Sequence, residues 1–257
     1  MKIKIPDINM LCRKNLLLNS DFKSGIINQR GAQSYSANSK WELSIDGWIY
    51  QGGIQVYPQS GSVRLYRPSS QEGNGYFKQI VTGLKNGKYL VHINVVSSSG
   101  TIVTDITGAS QESLIKGEHN IIANVTDGTF KLQINVNSKA GEVVIDEMKL
   151  EKGSHFTGMP AWDYGEQMLL CRRKFRTMVG RVYRYAQKAD KFNGVQFPLV
   201  NEYEMDGTPI ITIQDTYKAN CTIVKENQFG YIYAQITPTA IGNYEAQFKV
   251  TINTYEN

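Results

Sequence analysis

The sequence has few of the residues on which metal centres and disulfide frameworks depend. Its cysteines, Cys12, Cys171 and Cys221, are odd in number and far apart, and its three histidines form no His-x-x-x-His pair. This spacing fits neither a disulfide framework nor a Cys-x-x-Cys metal site. We therefore expect free thiols and no metal-hydrolase chemistry, although residues distant in sequence can still meet in space.

Long apolar runs are also missing. No stretch approaches the roughly 18 apolar residues that a membrane span requires. Residues 1–14 lack both an apolar core and a small-residue cleavage site, so they do not resemble a secretory signal. The sequence predicts no membrane insertion and a protein made in a cytoplasm, where it is kept or released by lysis.

No catalytic motif is evident. The chain has neither a nucleophile elbow nor a Gly-rich phosphate loop. A glycanase would need a pair of carboxylates across a cleft. Glu142, Asp146 and Glu147 lie close together, but such groups are common on solvated strands. We expect a protein that is not an enzyme.

The net charge of +5 is modest, but it is locally concentrated. Between Gln167 and Ala189 the sequence has seven basic residues and no acid. A nucleic-acid patch would have this composition, and so would a helix end that runs into a solvated strand. Because no groove-reading motif accompanies the basic residues, the second interpretation is preferred and no nucleic-acid partner is expected.

Strand signals are present along most of the chain. Its 257 residues can hold two domains. Short Val-, Ile-, Tyr- and Thr-rich segments alternate with turn pairs such as Asp46-Gly47 and Asn86-Gly87. About ten such segments between residues 40 and 150 predict a two-sheet sandwich. In residues 130–136, Phe, Leu, Ile and Val alternate strictly with Lys, Gln and Asn, so one face is core and the other meets solvent or ligand.

A single segment reads as a helix. Pro160 stops what precedes it, and Asp163 with Glu166 matches a capping box, so a helix of about three turns should begin there. Met168, Cys171 and Phe175 would then share one face. Strand signals resume afterwards and end in a long strand with one apolar face. That face would suit a three-fold axis, and the predicted interface residues are Tyr244, Phe248, Val250 and Ile252.

Two groups of residues together resemble a known family. The first is Glu151-x-Gly153, Phe156, Pro160, Tyr164-Gly165-Glu166, Leu169, Cys171, Arg172 and Phe175. The second is Asn-Leu-Leu-Leu-Asn-Ser-Asp-Phe at residues 15–22, then Asn-Gln-Arg-Gly at 28–31 and Asp-Gly-Trp at 46–48. This order resembles phage tail-fibre and related virion appendage proteins, in which such a joint follows a carbohydrate-binding-module-like jelly roll and precedes a trimerising β domain.

The resemblance implies an all-β architecture in four segments. These are an N-terminal arm (1–14), a jelly-roll sandwich (15–157), a helical joint (158–176) and a C-terminal β oligomerisation domain (177–257). The arm could dock on a neighbouring subunit or be a frayed end. The family's jelly rolls often carry a structural calcium, for which Asp146 matches one ligand, but Lys23 stands where another acid is expected. No other cofactor is implied.

Aromatic residues on a sandwich can serve as sugar platforms. The C–H faces of a pyranose stack on a flat ring while amide and charged groups bind its hydroxyls. Any single ring of this kind is more often ordinary packing than a sugar platform, and Trp48 is assigned to the core. The candidate carbohydrate-binding residues are Trp41, Tyr50, Tyr57, Arg64, Tyr66, Asn74 and Tyr76.

The sequence thus predicts a phage virion appendage subunit that binds host-surface polysaccharide without catalysis. Its partners would be further copies of itself, as a homotrimer, and other virion proteins, and its place would be the exterior of a phage tail or capsid. The chief alternative is a purely structural virion protein, such as a head fibre, decoration or tail-adaptor subunit, without a glycan ligand. A third possibility is a bacterial glycan-binding module outside any virion, against which the lack of a signal-like segment and the Tyr164-Gly165-Glu166 joint count.

Overall fold

A computed structural model describes residues 12–190, 194–201, 210–228 and 231–254. The chain forms two compact units, Met1–Met168 and Leu169–Asn257. Nearly all of the regular structure is antiparallel β-strand, which confirms the predicted all-β class. No helix in the described ranges is long and apolar enough to cross a membrane. The division into four segments stays a prediction.

The first unit contains ten strands arranged in two five-stranded sheets. Sheet I has the order β1-β2-β5-β9-β7, and sheet II has the order β3-β4-β10-β6-β8. The strands are β1 (Asn38–Leu43), β2 (Ile49–Gly52), β3 (Gln55–Gln59), β4 (Ser62–Tyr66), β5 (Gly75–Val81), β6 (Gly87–Ser99), β7 (Ile102–Ile106), β8 (Gly117–Val125), β9 (Phe130–Val136) and β10 (Glu142–Lys152).

The two sheets enclose one hydrophobic core because apolar residues alternate along the strands. Phe130, Leu132, Ile134 and Val136 of β9 are all fully buried, as their alternation predicts. Trp48 lies in this core as expected, with its ring stacked on a phenylalanine of β5 at a centroid distance of 4.6 Å. The outer faces of sheets I and II therefore lie on opposite sides of the sandwich.

The N-terminal motif, residues 15–22, has a structural role. Asn19 has a positive φ of 50°, which asparagine tolerates better than most residues. Its side chain donates to the carbonyls of Ile27 and Asp46 and accepts from the amide of Ile27, each at 2.8 Å. Asn15 similarly donates to the carbonyl of Met148 at 2.9 Å. The motif residues thus fasten the start of the sandwich to its turns and last strand.

The segment after β10 folds back over one end of sheet II. Phe156 stacks on the ring of His92 at 3.8 Å. Beneath it, Lys149 and Glu151 form a fully buried ion pair at 3.3 Å, and Glu151 also accepts from the amide of Thr157 at 2.8 Å. Because each charge has partners, these contacts offset the free-energy cost of removing the pair from water. This segment covers the β6 and β10 part of the outer face of sheet II.

The predicted N-terminal arm lies mostly outside the described residues, which begin at Cys12. The Cys12 thiol donates to the carbonyl of Gly158 at 3.0 Å, and the amide of Arg13 donates to Oγ1 of Thr157 at 2.9 Å. The described end of the arm therefore packs on its own chain. Whether the preceding residues contact a neighbouring subunit stays a prediction.

The helix α1 spans Tyr164–Arg172 and begins as the sequence predicts. Asp163 Oδ1 accepts from the amide of Glu166 at 2.9 Å, which is the expected N-cap. The prediction that Phe175 shares the helix face was wrong, because the helix ends at Arg172 and Phe175 begins the next strand. The helix is accordingly shorter than three full turns.

The second unit contains two three-stranded antiparallel sheets. Sheet III has the order β11-β16-β13, and sheet IV has the order β12-β15-β14. The strands are β11 (Phe175–Ala186), β12 (Val195–Asn201), β13 (Ile210–Ala219), β14 (Cys221–Gln228), β15 (Tyr231–Pro238) and β16 (Gly242–Asn253). Among the basic residues of this region, Arg181 on β11 pairs with Glu245 on β16 at 3.0 Å.

The predicted oligomer interface is instead the core of this unit. The apolar side chains of β16 are covered by sheet IV, and Phe197 of β12 meets the ring of Phe248 edge-on at 5.5 Å. The face that suited a three-fold axis is therefore closed within one chain and is not available to a second copy. The residues concerned are Tyr244, Phe248, Val250 and Ile252, each at most 1% exposed.

Candidate functional site

The seven predicted sugar-binding residues do not form a single site. Trp41 and Tyr76 lie on the outer face of sheet I. Tyr57, Arg64 and Tyr66 lie on the outer face of sheet II, on the opposite side of the sandwich. The other two, Tyr50 and Asn74, belong to the core and to a loop.

Strand pairing brings Trp41 and Tyr76 together. Tyr76 on β5 pairs with Gln51 on β2 and with Asn135 on β9, and these positions point away from the core. The ring of Trp41, from the edge strand β1, lies 6.2 Å from that of Tyr76 at an angle of 41°. Both rings are partly exposed. They form a two-ring apolar platform of the kind on which sugars stack.

Two amide side chains of β9 lie beside this platform. Gln133 and Asn135 are only 8% and 9% exposed although they are on the outer face. Nε2 of Gln133 donates to Oδ1 of Asn135 at 2.7 Å and to Oδ2 of Asp105 at 3.3 Å. Within the described residues, Nδ2 of Asn135 and Oε1 of Gln133 have no hydrogen-bond partner. One donor and one acceptor are thus held in fixed positions and left unused.

Three charged groups complete this outer face. Asp105 on β7 pairs with Lys131 on β9 at 2.7 Å. Nζ of Lys78, on β5, lies over the ring of Trp41 at 3.4 Å from its centroid, a cation–π contact. We call this region the Trp41 surface, and its residues are Trp41, Gln51, Tyr76, Lys78, Asp105, Lys131, Gln133 and Asn135.

Sequence reasoning missed the polar residues of the Trp41 surface. The alternation in residues 130–136 places Lys131, Gln133 and Asn135 on one face, and the same period relates Lys78 to Tyr76. That signal identifies a shared face along each strand. It does not show that β5 lies between β2 and β9, and this pairing is what assembles the surface.

The residues on sheet II satisfy one another. The guanidinium of Arg64 lies 5.2 Å from the ring of Tyr57 and 5.0 Å from that of Tyr66. Its Nη2 is 2.6 Å from Oε2 of Glu142, and this hydrogen bond raises the pKa of Arg64. Tyr57 in turn donates to Gln55 at 2.5 Å. Because the charge of Arg64 is paired with Glu142 and the hydroxyl of Tyr57 with Gln55, this cluster has less to offer a ligand than the Trp41 surface.

Tyr50 and Asn74 occupy different environments from the platform. Tyr50 pairs with Phe77 in register and is 3% exposed in the core, so the prediction that it stacks on sugar was wrong. Burial raises the pKa of Tyr50 to about 12. Asn74 is exposed in the loop before β5, where its carbonyl accepts from the amide of Gly53 at 3.2 Å. It is close in sequence to Tyr76 but outside the strand.

The donor set around Asp146 does not fit a calcium ion. Its Oδ1 accepts from Nδ2 of Asn94 at 2.8 Å, and the ammonium of Lys23 lies 3.6 Å from the neighbouring Glu147. Calcium requires six or more oxygen ligands, whereas an amide and a lysine compensate the carboxylates here. In the described part of the chain no group of three or more His, Cys, Asp or Glu residues could hold a metal.

These features define an all-β protein whose first unit is a sandwich with an aromatic, amide-lined outer face. No family model matches the sequence, and no curated protein matches it. Among solved structures, 28 chains are similar. TmCBM61 in complex with beta-1,4-galactotriose is 18% identical, with 55% of this chain and 100% of that chain covered at a TM-score of 0.37.

Two further similar structures are also glycan-binding or adhesive by their descriptions. A family 29 carbohydrate-binding module complexed with mannohexaose is 11% identical, with 48% of this chain and 94% of that chain covered at a TM-score of 0.32. The adhesin domain of Epf from Streptococcus pyogenes is 12% identical, with 91% and 85% covered at a TM-score of 0.35.

Proposed function

We propose that the first unit binds polysaccharide without catalysis and that the Trp41 surface is the binding site. The observation that carries this proposal is the combination of paired rings with unused amide atoms. Trp41 and Tyr76 offer apolar area for the C–H face of a pyranose, while Asn135 and Gln133 offer a donor and an acceptor for its hydroxyls. Their burial fixes the amides in advance, which lowers the entropic cost of binding.

Binding rather than hydrolysis suits the charges of the surface. Glycoside hydrolysis ordinarily uses two carboxyl groups that flank the bond to be cleaved. On the described strands of sheet I, Asp105 is the carboxylate on the outer face, and Lys131 neutralises it at 2.7 Å. The carboxylate of Asp105 is therefore better suited to orienting Gln133 and Lys131 than to transferring a proton.

We further propose that the protein works on the exterior of a phage virion, where it attaches to host-surface glycan together with other virion proteins. The support is the sequence resemblance of residues 15–48 and 151–175. Assembly as a homotrimer belongs to the same proposal. Several copies on one particle let weak sites suffice, because once one copy has bound, the others bind at high effective concentration. Sedimentation of the full chain at micromolar concentration tests the trimer.

The two faces of the sandwich provide a matched test of the binding site. One double variant, Trp41→Ala with Tyr76→Ala, removes the platform. The other, Tyr57→Ala with Tyr66→Ala, removes two rings from the opposite face. Binding of the full-length protein to an array of bacterial surface polysaccharides should be lost in the first and retained in the second. Because all four side chains are partly exposed, neither melting temperature should fall by more than a few degrees.

The outcomes separate the candidate functions. Loss of binding in the sheet II variant alone would move the site to the opposite face. If the unaltered protein binds neither the array nor host cells and their extracted glycans, the glycan-binding proposal fails. A purely structural virion subunit is then the function to test.

A further inference from the structure

Lys78 stands apart from the other charged groups of the Trp41 surface. Asp105 and Lys131 cancel each other at 2.7 Å. Lys78 forms no ion pair within the described residues, and its ammonium rests over the indole ring of Trp41 at 3.4 Å. The surface therefore carries one uncompensated positive charge, next to both aromatic rings and on the same strand as Tyr76.

The environment of this ammonium favours an anion as its partner. Burial lowers the pKa of Lys78, the neighbouring Lys131 lowers it further, and Asp105 opposes this in part. A neutral sugar that covered the surface would remove more water from the ammonium without supplying a counter-charge, which costs free energy. An anionic group on the sugar would supply that charge through a charge-assisted hydrogen bond.

We propose that the Trp41 surface selects acidic polysaccharides, in which Lys78 pairs with an anionic substituent of the sugar bound beside Trp41 and Tyr76. This inference rests on the proposed glycan-binding function and deepens it. The shared chemistry is a fixed negative charge on a pyranose, carried by either a carboxylate or a sulfate. Lys78 is the residue that sets specificity, while the rings and amides bind features that neutral sugars also have.

Polysaccharide pairs that share a backbone and differ in charge test this directly. One pair is polygalacturonate and its carboxyl-reduced form, and the other is dextran sulfate and dextran. Each is immobilised and titrated with full-length protein. The charged member of at least one pair should bind more tightly, and which pair responds distinguishes carboxylate from sulfate. Lys78→Met should weaken binding of that member by about tenfold, as expected for one lost charged hydrogen bond, and should not weaken binding of the neutral member, so the preference for charge is lost.

Two further variants separate a specific contact from general charge attraction. Lys88 is exposed on β6 of sheet II, so Lys88→Met changes the net charge by the same amount on the opposite face and should bind as the unaltered protein does. Lys78→Arg keeps the charge and should retain most of the preference.

The measured preference for the charged member of each polysaccharide pair decides whether the inference holds. Equal or tighter binding of the neutral members, or a Lys78→Met variant that keeps the preference for charge, overturns the acidic-ligand inference and leaves glycan binding in place. An equal loss in Lys78→Met and Lys88→Met overturns it as well, because net charge would then account for the attraction. A protein that binds neither pair and nothing on the surface-polysaccharide array overturns both proposals.

Discussion

Asp46 is a carboxylic acid in a position that water hardly reaches. Its Oδ2 accepts from the amide of Gln29 at 2.7 Å, and its Oδ1 from the side chain of Gln29 at 3.3 Å. Burial raises its pKa to about 6, against the opposing influence of these hydrogen bonds and of Arg30. The residue holds the turn that precedes Trp48, so its titration bears on the stability of the first unit.

The sign of the pH effect follows from this raised pKa. Between the ordinary value of 3.8 and about 6, the unfolded chain loses the proton while the folded one keeps it. The contribution of Asp46 to stability is therefore complete below pH 3.8 and falls by about 3 kcal/mol as the pH rises to 6 and above. Asp46→Asn should lack this decline. Urea unfolding of both proteins from pH 4 to pH 7 measures it, and a constant difference between them contradicts the assignment.

Asp163 controls the start of the helix. Asp163→Ala removes the acceptor for the amide of Glu166 and should lower the free energy of unfolding by about 1 kcal/mol. Asp163→Asn keeps an acceptor at the same position and serves as the control, with a loss of a few tenths of a kcal/mol at most. Denaturant melts of the two variants compare them. Equal losses would show that the carboxylate charge matters rather than the cap.

At the scale of the strand, Gly180 on β11 shows how sheet III accommodates a large side chain. It pairs with Phe248 on β16, whose ring lies across it. A Cβ added at Gly180 would meet ring carbons of Phe248 at 2.3 Å and 2.5 Å. The absence of a side chain is therefore what lets the ring pack against β11 at this position.

Gly180→Ala should accordingly destabilise the second unit by overpacking, by about 1–3 kcal/mol. Adding Phe248→Leu makes room for the new methyl group, so the double variant should lose less than the sum of the two single variants. Thermal melts of the three proteins form the cycle. Strict additivity would show that the ring moves aside without cost.

The strands illustrate which features of a β protein can be predicted from its sequence. The strand predicted from strict alternation at residues 130–136 matches β9 fully, and ten strands are present where about ten were expected. Alternation cannot specify which strands are neighbours, because β5, β9 and β7 pair through contacts between residues far apart in the chain. For that reason the site predicted from the sequence contained Trp41 together with Tyr57 and Tyr66, although Trp41 lies on one side of the sandwich and the two tyrosines lie on the other. Lys78 was not among the predicted residues.

The long strand β16 illustrates a second limit. Its apolar face indicates burial, and burial is what the structure shows. Periodicity cannot distinguish a face that is buried by a partner subunit from one that is buried by a second sheet of the same chain. The strands of sheet IV are short, and their sequence signals are individually weak. Phe197 of this sheet covers Phe248. A trimer, if formed, requires a surface other than this one.

At the scale of the whole molecule, each unit has a hydrophobic core of its own. The core of the first unit includes Phe77, and that of the second includes Phe248. Among the described residues no side chain belongs to both cores. Each unit is of a size at which domains fold independently, so the cooperative unit of unfolding should be the unit rather than the chain.

Calorimetry of the full chain should therefore resolve two unfolding transitions. Phe77→Ala leaves a cavity in the first core and Phe248→Ala one in the second, and each should cost about 3–5 kcal/mol. Because the cores share no residue, each variant should lower the temperature of one transition and leave the other in place. Ile80→Ala, which trims a side chain that is 42% exposed, is the control and should move neither by more than a degree or two. A single transition that both core variants shift alike would mean that the two units unfold as one, since cooperative unfolding transmits the loss in either core to the whole chain.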